Sequence, residues 1–260
     1  MEHIYPTFKN GKILTSEMLI ALRDMAWLRE QIAYQDYPKG VIFGCRLRIE
    51  GHYICIGPGQ IKCRDYLFLM GEEERIEYAP TEHYISLKFK AGEKEEFNGY
   101  ICYQTSFFLD TRLELGEDEV ELCRFKLKEG ARLRTEYKDF SDIQTEYDTL
   151  NLAHATWAAA DGNSLSKEVT DFFSRQGLSC AKAENTDRQF AYLLLQSKEA
   201  VRADVLTDYL MQKTGKKQNS IFSPEEAFYC LAQVLEGIRR GGKAERGREI
   251  GRRQSLIVWD

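Results

Sequence analysis

Hydrophobic and polar positions follow two periods along this chain, and the change from one to the other divides it. The first stretch is helical. Thr15 or Ser16 can cap it, Met18, Leu22, Met25 and Ile32 follow at helical spacing, and Leu19 and Ala26 widen the stripe. Tyr37-Pro38-Lys39-Gly40 ends it, because proline cannot continue a helix and glycine lets the chain reverse. From about 41 to 128 the period is two. Val41, Phe43, Cys45, Leu47 and Ile49 alternate with Ile42, Gly44, Arg46 and Arg48, which predicts a strand with one buried face. Glu50-Gly51 is a tight turn, Tyr53 to Ile56 a short strand, and Gly57-Pro58-Gly59 a turn into a third strand running on through Leu69. His83 to Lys90, Tyr100 to Leu109 and Val120 to Leu127 are further strands.

After Gly130 the period returns to that of a helix. Tyr137, Phe140, Ile143, Tyr147 and Leu150 share one face, and a helix here is expected to pack its aromatic stripe on the β region or, alternatively, to bury it within the helical domain. The alanine-rich run from Leu152 to Ala160 is read as helical, with His154 in it, and stops at Asp161-Gly162-Asn163. Ser164 or Ser166 starts the next helix, and Arg188 to Gln196 and Ala200 to Lys213 are two more. Ser223-Pro224-Glu225-Glu226 is the clearest helix start: a serine cap, a proline whose missing N–H costs nothing, and a glutamate at N3 to close a capping box. Leu231, Val234, Leu235 and Ile238 then face inward.

These patterns predict an α+β fold. One helix precedes an antiparallel β sandwich or barrel, and an all-helical C-terminal domain follows. The expected boundaries are 1–40 for the helical segment, 41–130 for the β domain, 131–238 for the helical domain and 239–260 for a basic tail.

Composition adds mostly exclusions. The 260 residues are 43% hydrophobic and carry a net charge of -5, so nothing drives the whole chain toward nucleic acid or acidic membranes. The N-terminus does not read as a signal peptide, and no apolar run has the length of a membrane span. Seven cysteines, an odd number, point to reduced thiols in the cytoplasm.

Recognisable chemistry is sparse. A phosphate loop needs Gly-Lys followed by Ser or Thr, but the Gly-Lys pairs here precede Ile13, Lys217 and Ala244. No Cys-x-x-Cys or His-x-x-x-His occurs; Cys45, Cys55, Cys63 and His52 are a legal zinc set only if adjacent strands bring them together. No nucleophile elbow accompanies the four histidines. No cofactor or metal is expected, and an enzyme without a recognisable motif is kept as an alternative. The tail concentrates charge. Arg239, Arg240, Lys243, Arg246, Arg248, Arg252 and Arg253 face only Glu245 and Glu249, four glycines interrupt them, and Leu256 to Trp259 is apolar. This segment, with Trp259, is the candidate partner-binding region, expected to order on a partner; nucleic-acid binding through its cations is an alternative function. Gly40, Gly44, Gly57, Pro58 and Gly59 are the candidate structural turn residues.

Residues 12–70 resemble the N-terminal region of phage tail and baseplate components. The matching residues are Leu14, Leu19, Leu22, Gly40, Gly44, Ile54, Ile56, Pro58 and Gly59. The chain is also similar, through Ala21–Asp24, Glu121–Phe125, Tyr137–Phe140 and Gln144–Thr149, to a family of small bacterial proteins sometimes labelled "DNA and RNA helicase". The absent phosphate loop does not support that label's chemistry. The first resemblance implies a non-enzymatic structural or assembly role in a phage-derived tail-like particle, with protein partners or self-assembly and no membrane.

Overall fold

The computed structural model describes residues 5–11, 13–144, 147–216 and 221–241. Helix α1 (Ser16–Ala33) is capped by Thr15, whose hydroxyl accepts from the Met18 N–H at 3.3 Å. Its C-terminal end is held by Lys62, whose ammonium donates to the carbonyls of Tyr34 (2.6 Å) and Gln35 (2.9 Å), where a cation also meets the negative end of the helix dipole. Tyr34 and Tyr37 then donate to the Glu199 carboxylate at 2.9 and 3.1 Å.

Eleven strands among the described residues form three sheets. β1 (Gly40–Gly44), β4 (Gly59–Cys63), β5 (Tyr66–Met70), β10 (Trp157–Ala159) and β11 (Gly162–Ser164) make the first, in the order β11-β10-β1-β4-β5. β2 (Leu47–Glu50), β3 (Tyr53–Ile56) and β6 (Glu74–Glu77) make the second, in the order β2-β3-β6. β7 (Thr81–Phe97), β8 (Tyr100–Asp110) and β9 (Glu119–Leu127) make the third, with β7 in the middle.

β1–β2 and β3–β4 are two arms of one long ribbon whose tip is the turn at Gly51. Both arms bend at the same level and pass from the second sheet into the first. Across the bend the Cys45 N–H donates to the Pro58 carbonyl (3.0 Å) and the Gly57 N–H to the Arg46 carbonyl (2.9 Å). Gly44 sits there at φ +72°, and a Cβ on it would lie 2.3 Å from the Pro58 oxygen. A Cβ on Gly59 would lie 2.4 Å from the Cys45 nitrogen. Only glycine lets the two arms approach this closely. Gly40 lies against Thr156 and Ala158 of the neighbouring chain segment.

Helices α2 (Lys167–Ser179), α3 (Asn185–Gln196), α4 (Ala203–Thr214) and α5 (Pro224–Arg240) follow the sheets. Ser166 caps α2, and Ser223 with Glu226 closes a complete capping box on α5 with Pro224 in its first turn. One continuous apolar core runs from Val41 and Ile61 in the first sheet through Leu87 and Phe125 in the third to Phe173, Phe228 and Leu235 in the helices.

The α+β class holds, with four corrections. The sheets are open, not a closed barrel: each keeps two edge strands. The expected all-helical C-terminal part contains the β10–β11 hairpin, and β10 pairs parallel to β1 (Val41 opposite Trp157), so the first sheet is not purely antiparallel. Of the alanine-rich run only Trp157–Ala159 is strand, and Leu152 to Thr156, with His154, form a turn and extended chain before it; pairing against an open sheet edge outweighs alanine's helix preference. The third strand splits into β4 and β5 at Arg64-Asp65. Arg64 adopts φ +53° there while its guanidinium pairs with Asp118.

The fourth correction is to the segment 137–150, which holds no α-helix among its described residues, only a short 3₁₀ turn, Phe140–Gln144. Its aromatics divide: Tyr137 and Phe140 meet rings of the helices, whereas Tyr147 lies under Lys126 of β9, 4.5 Å from its ring centre. Phe140 stacks on Phe228 of α5 (4.7 Å between ring centres) and meets Phe173 of α2 edge-on at 5.9 Å. Tyr137 donates to the Leu150 carbonyl at 2.6 Å, and Arg134 fastens the turn through Asp142 (2.6 Å). These links close the segment on itself and leave no room for a continuing helix.

Candidate functional site

Buried chemistry in this fold is neutralised locally. Lys88 on β7 is completely buried, and its ammonium donates to Asp110 (2.9 Å), Glu119 (3.1 Å) and the Glu114 carbonyl (2.7 Å). Arg112 pairs with Glu119 from the other side at 2.9 Å. Hydrogen bonds from Lys88 and the Arg112 N–H hold the Asp110 carboxyl below its usual range. Two cations against two carboxylates leave no spare charge for a ligand. The grouping of Glu50, Cys55 and Glu73, whose donor atoms lie within 4.8 Å of one another, is closed in the same way. Arg48 pairs with Glu73 (2.8 Å) and Arg75 with Glu50 (3.0 Å) and Glu73 (3.2 Å). Of the residues considered for zinc, Cys55 lies on β3 in the second sheet, Cys63 on β4 in the first, and Cys45 in the bend between β1 and β2.

Two cavities meet below the bend of the ribbon. One of about 190 Å³ is lined by Val41, Cys45, Tyr137, Trp157 and Glu168. The other, about 400 Å³ and more open, shares Trp157 and Glu168 and adds Tyr34, Arg46 and Glu199. Burial raises the Glu168 carboxyl, outweighing its own backbone N–H and the nearby Arg46. Burial, and then the charge of Glu168, pushes the Cys45 thiol up to about 12. The Tyr137 phenol is likewise raised by burial. Thiol and phenol therefore keep their protons at neutral pH, the phenol's committed to the Leu150 carbonyl, and there is no thiolate nucleophile.

A third recess, larger than these two, is of another kind. A groove of about 970 Å³ runs between α1, β5 and the β7–β8 hairpin, floored by Phe68 and Tyr103 and walled by Trp27, Leu69, Phe97 and Tyr100. Tyr103 binds the first and third sheets together here, with its ring 4.6 Å from Tyr66 and 5.6 Å from Phe68. The hairpin tip is fixed by Phe97 stacked on Tyr100 at 5.0 Å. Both strands beside the groove are sheet edges, β5 of the first sheet and β8 of the third. Leu69 is 74% exposed, and Trp27, Phe97, Tyr100 and Ile101 are exposed with it. Arg23, Asp24 and Glu96 add charge to the lining. An open apolar trough edged by unpaired strands can take up a segment of another chain, and offers neither an acid–base pair nor a metal set for chemistry.

The candidate tail residues are only partly placed. Arg239 donates to Gln176 and Arg240 to Glu236, and Gly241 ends α5 in the left-handed conformation. Lys243, Arg246, Arg248, Arg252, Arg253 and Trp259 lie outside the described residues. The structure brings Gly44, Gly57, Pro58 and Gly59 together at the ribbon's bend. The groove's residues were missed in the sequence because they come from three separate elements. The available signal was the set of aromatic and apolar residues at a strand edge and a hairpin tip.

No helix among the described residues is long and apolar enough to cross a membrane. No family model matches the chain. No curated protein matches it. A crystal structure of TssK aligns over 92% of this chain and 69% of that one, with 9% sequence identity and a TM-score of 0.40. A likeness that loose carries no argument about function.

Proposed function

We propose that this chain is a non-enzymatic assembly protein that works in the cytoplasm and docks an extended apolar segment of a partner protein in the groove between α1, β5 and the β7–β8 hairpin. The particle would be of the phage-derived tail or baseplate kind that residues 12–70 resemble. The observation that carries the reading is the groove itself: exposed aromatic side chains along two unpaired strand edges, a surface suited to strand addition with side-chain pockets for specificity. Seven free cysteines suit a reducing compartment. The enzymatic alternative would centre on Glu168, but the thiol and phenol around it are protonated and pair with no base. The nucleic-acid alternative would rest on tail cations beyond α5.

The test is to express Trp27→Glu and Tyr100→Glu in the native host and fractionate lysates by sedimentation. The expected result is loss of the protein from particle-sized fractions with an unchanged melting temperature. Retention of both variants in those fractions would refute the reading. Steep salt dependence of a nucleic-acid complex, lost on deleting residues 242–260, would favour the alternative.

A further inference from the structure

We infer that α1 joins copies of this chain to one another as a parallel coiled coil, with the face turned away from the body as its seam. The inference rests on the assembly reading above and uses a face of α1 that adjoins the groove along Asp24. Arg23, Asp24 and Trp27 line the groove, and Glu30 accepts from Gln60 at 3.5 Å, so that side of α1 looks toward the body. On the other side stand Met18, Ala21, Met25, Leu28 and Ile32, at successive spacings of three, four, three and four residues. That is the heptad repeat that keeps one apolar seam facing a partner helix. None of these residues is fully buried: Met18 and Ala21 are half-buried, Met25 and Leu28 are each 53% exposed and Ile32 is 65% exposed.

The flanking charges choose both the occupant and its direction. With Met18, Met25 and Ile32 at the first core position and Ala21 and Leu28 at the second, Asp24 and Arg29 fall on the two flanks. In a parallel pair, a residue on one flank meets the residue five positions on in the other helix. Asp24 of one copy then meets Arg29 of the next, and the contact is reciprocated. Arg29 makes no ion pair among the described residues, and Asp24 pairs there with its exposed neighbour Arg23 at 2.6 Å, a surface contact it can exchange for this one. In the symmetric antiparallel register Asp24 would face Asp24 of the second copy, a like-charge contact. A second copy therefore supplies both halves of the match, the apolar seam and the opposite charge. Eighteen residues span about 27 Å, some two and a half heptads, so the association is expected to depend on concentration.

The experiment is sedimentation velocity on the full chain across a concentration series. Met25→Glu is expected to raise the dissociation constant at least about tenfold, which corresponds to about 1.4 kcal/mol. Arg29→Glu should weaken self-association several-fold, and Asp24→Arg in the same chain should restore most of it. Because these side chains are not buried, each variant should melt like the parent. Met18→Cys and Ile32→Cys in one chain, joined by a short bismaleimide and mapped by peptide mass, should give 18-to-18 and 32-to-32 links. A monomer at every concentration, an oligomer indifferent to Met25→Glu, or links only between 18 and 32 would each overturn the inference. A monomer that still enters particles through its groove would sink this inference alone. An intact oligomer indifferent to Trp27→Glu and Tyr100→Glu in particle fractions would sink the functional reading alone.

Discussion

α1 and α5 are alike in length and in how they start, and opposites in the fold. They span 18 and 17 residues, each starts behind a hydroxyl cap, and each carries apolar residues at helical spacing. α5 buries seven side chains, from Ala227 to Ile238, while α1 buries none. Capping and periodicity thus establish that a helix forms. They do not establish whether the chain itself supplies what covers its apolar face. For α5 the cover is Phe140, Phe173 and their neighbours; for α1 the described residues supply no such cover.

The comparison can be broken at its buried end first. Phe140→Ala removes the ring stacked on Phe228 and should cost about 3–5 kcal/mol in urea unfolding. Lys88→Ala should cost a similar amount, about 3–5 kcal/mol, because it removes the buried cation from the buried Glu119 and leaves only the exposed Arg112 to pair with it and Asp110. A loss below about 1 kcal/mol in either would show that the core tolerates gaps the structure does not suggest. The caps sharpen the contrast. Ser223→Ala should cost about 1 kcal/mol of global stability, whereas Thr15→Ala should lower helix content by circular dichroism and leave the unfolding midpoint in place.

The effect of pH is expected to be smaller. The half-buried Glu168 carboxyl has a raised folded pKa through desolvation, so its contribution is complete below the ordinary carboxylate range and is lost as pH rises through the folded value. Glu168→Gln should therefore raise the melting temperature at neutral pH, and the gain should vanish as pH falls through the ordinary carboxylate range. No pH dependence of the gain would mean the carboxyl is solvated. The smallest effect belongs to α1: Met25→Ala and Leu28→Ala measured at low protein concentration should stay within about 0.5 kcal/mol of the parent.

Much of the fold was legible where a residue type enforces geometry locally. Ser223, Pro224 and Glu226 marked α5, Gly51 marked the tip of the ribbon, and alternation marked β7, β8 and β9. What stayed hidden depended on partners distant in sequence. Arg64-Asp65 turns without glycine because Asp118 holds Arg64 in place. Ala158 and Ala159 are strand because β1 lies alongside, although Asp161-Gly162 was a readable hairpin signal. The groove has no single stretch of sequence that encodes it. The ladder of apolar residues on α1 was visible, but its exposure was not.

The parallel pairing of β1 with β10 sets an order of events during synthesis. Val41 emerges from the ribosome more than a hundred residues before Trp157, its register partner, and the Val41 N–H waits for the Thr156 carbonyl, which it meets at 2.8 Å. Until then the ribbon of β1 to β4 has an unsatisfied flank, open to mispairing with any extended segment nearby. The first sheet therefore closes late, after β7, β8 and β9 have been made, and closing so long a loop is the slow kind of step. A nascent chain halted before residue 157 would present that flank to chaperones, and one released after residue 164 would not.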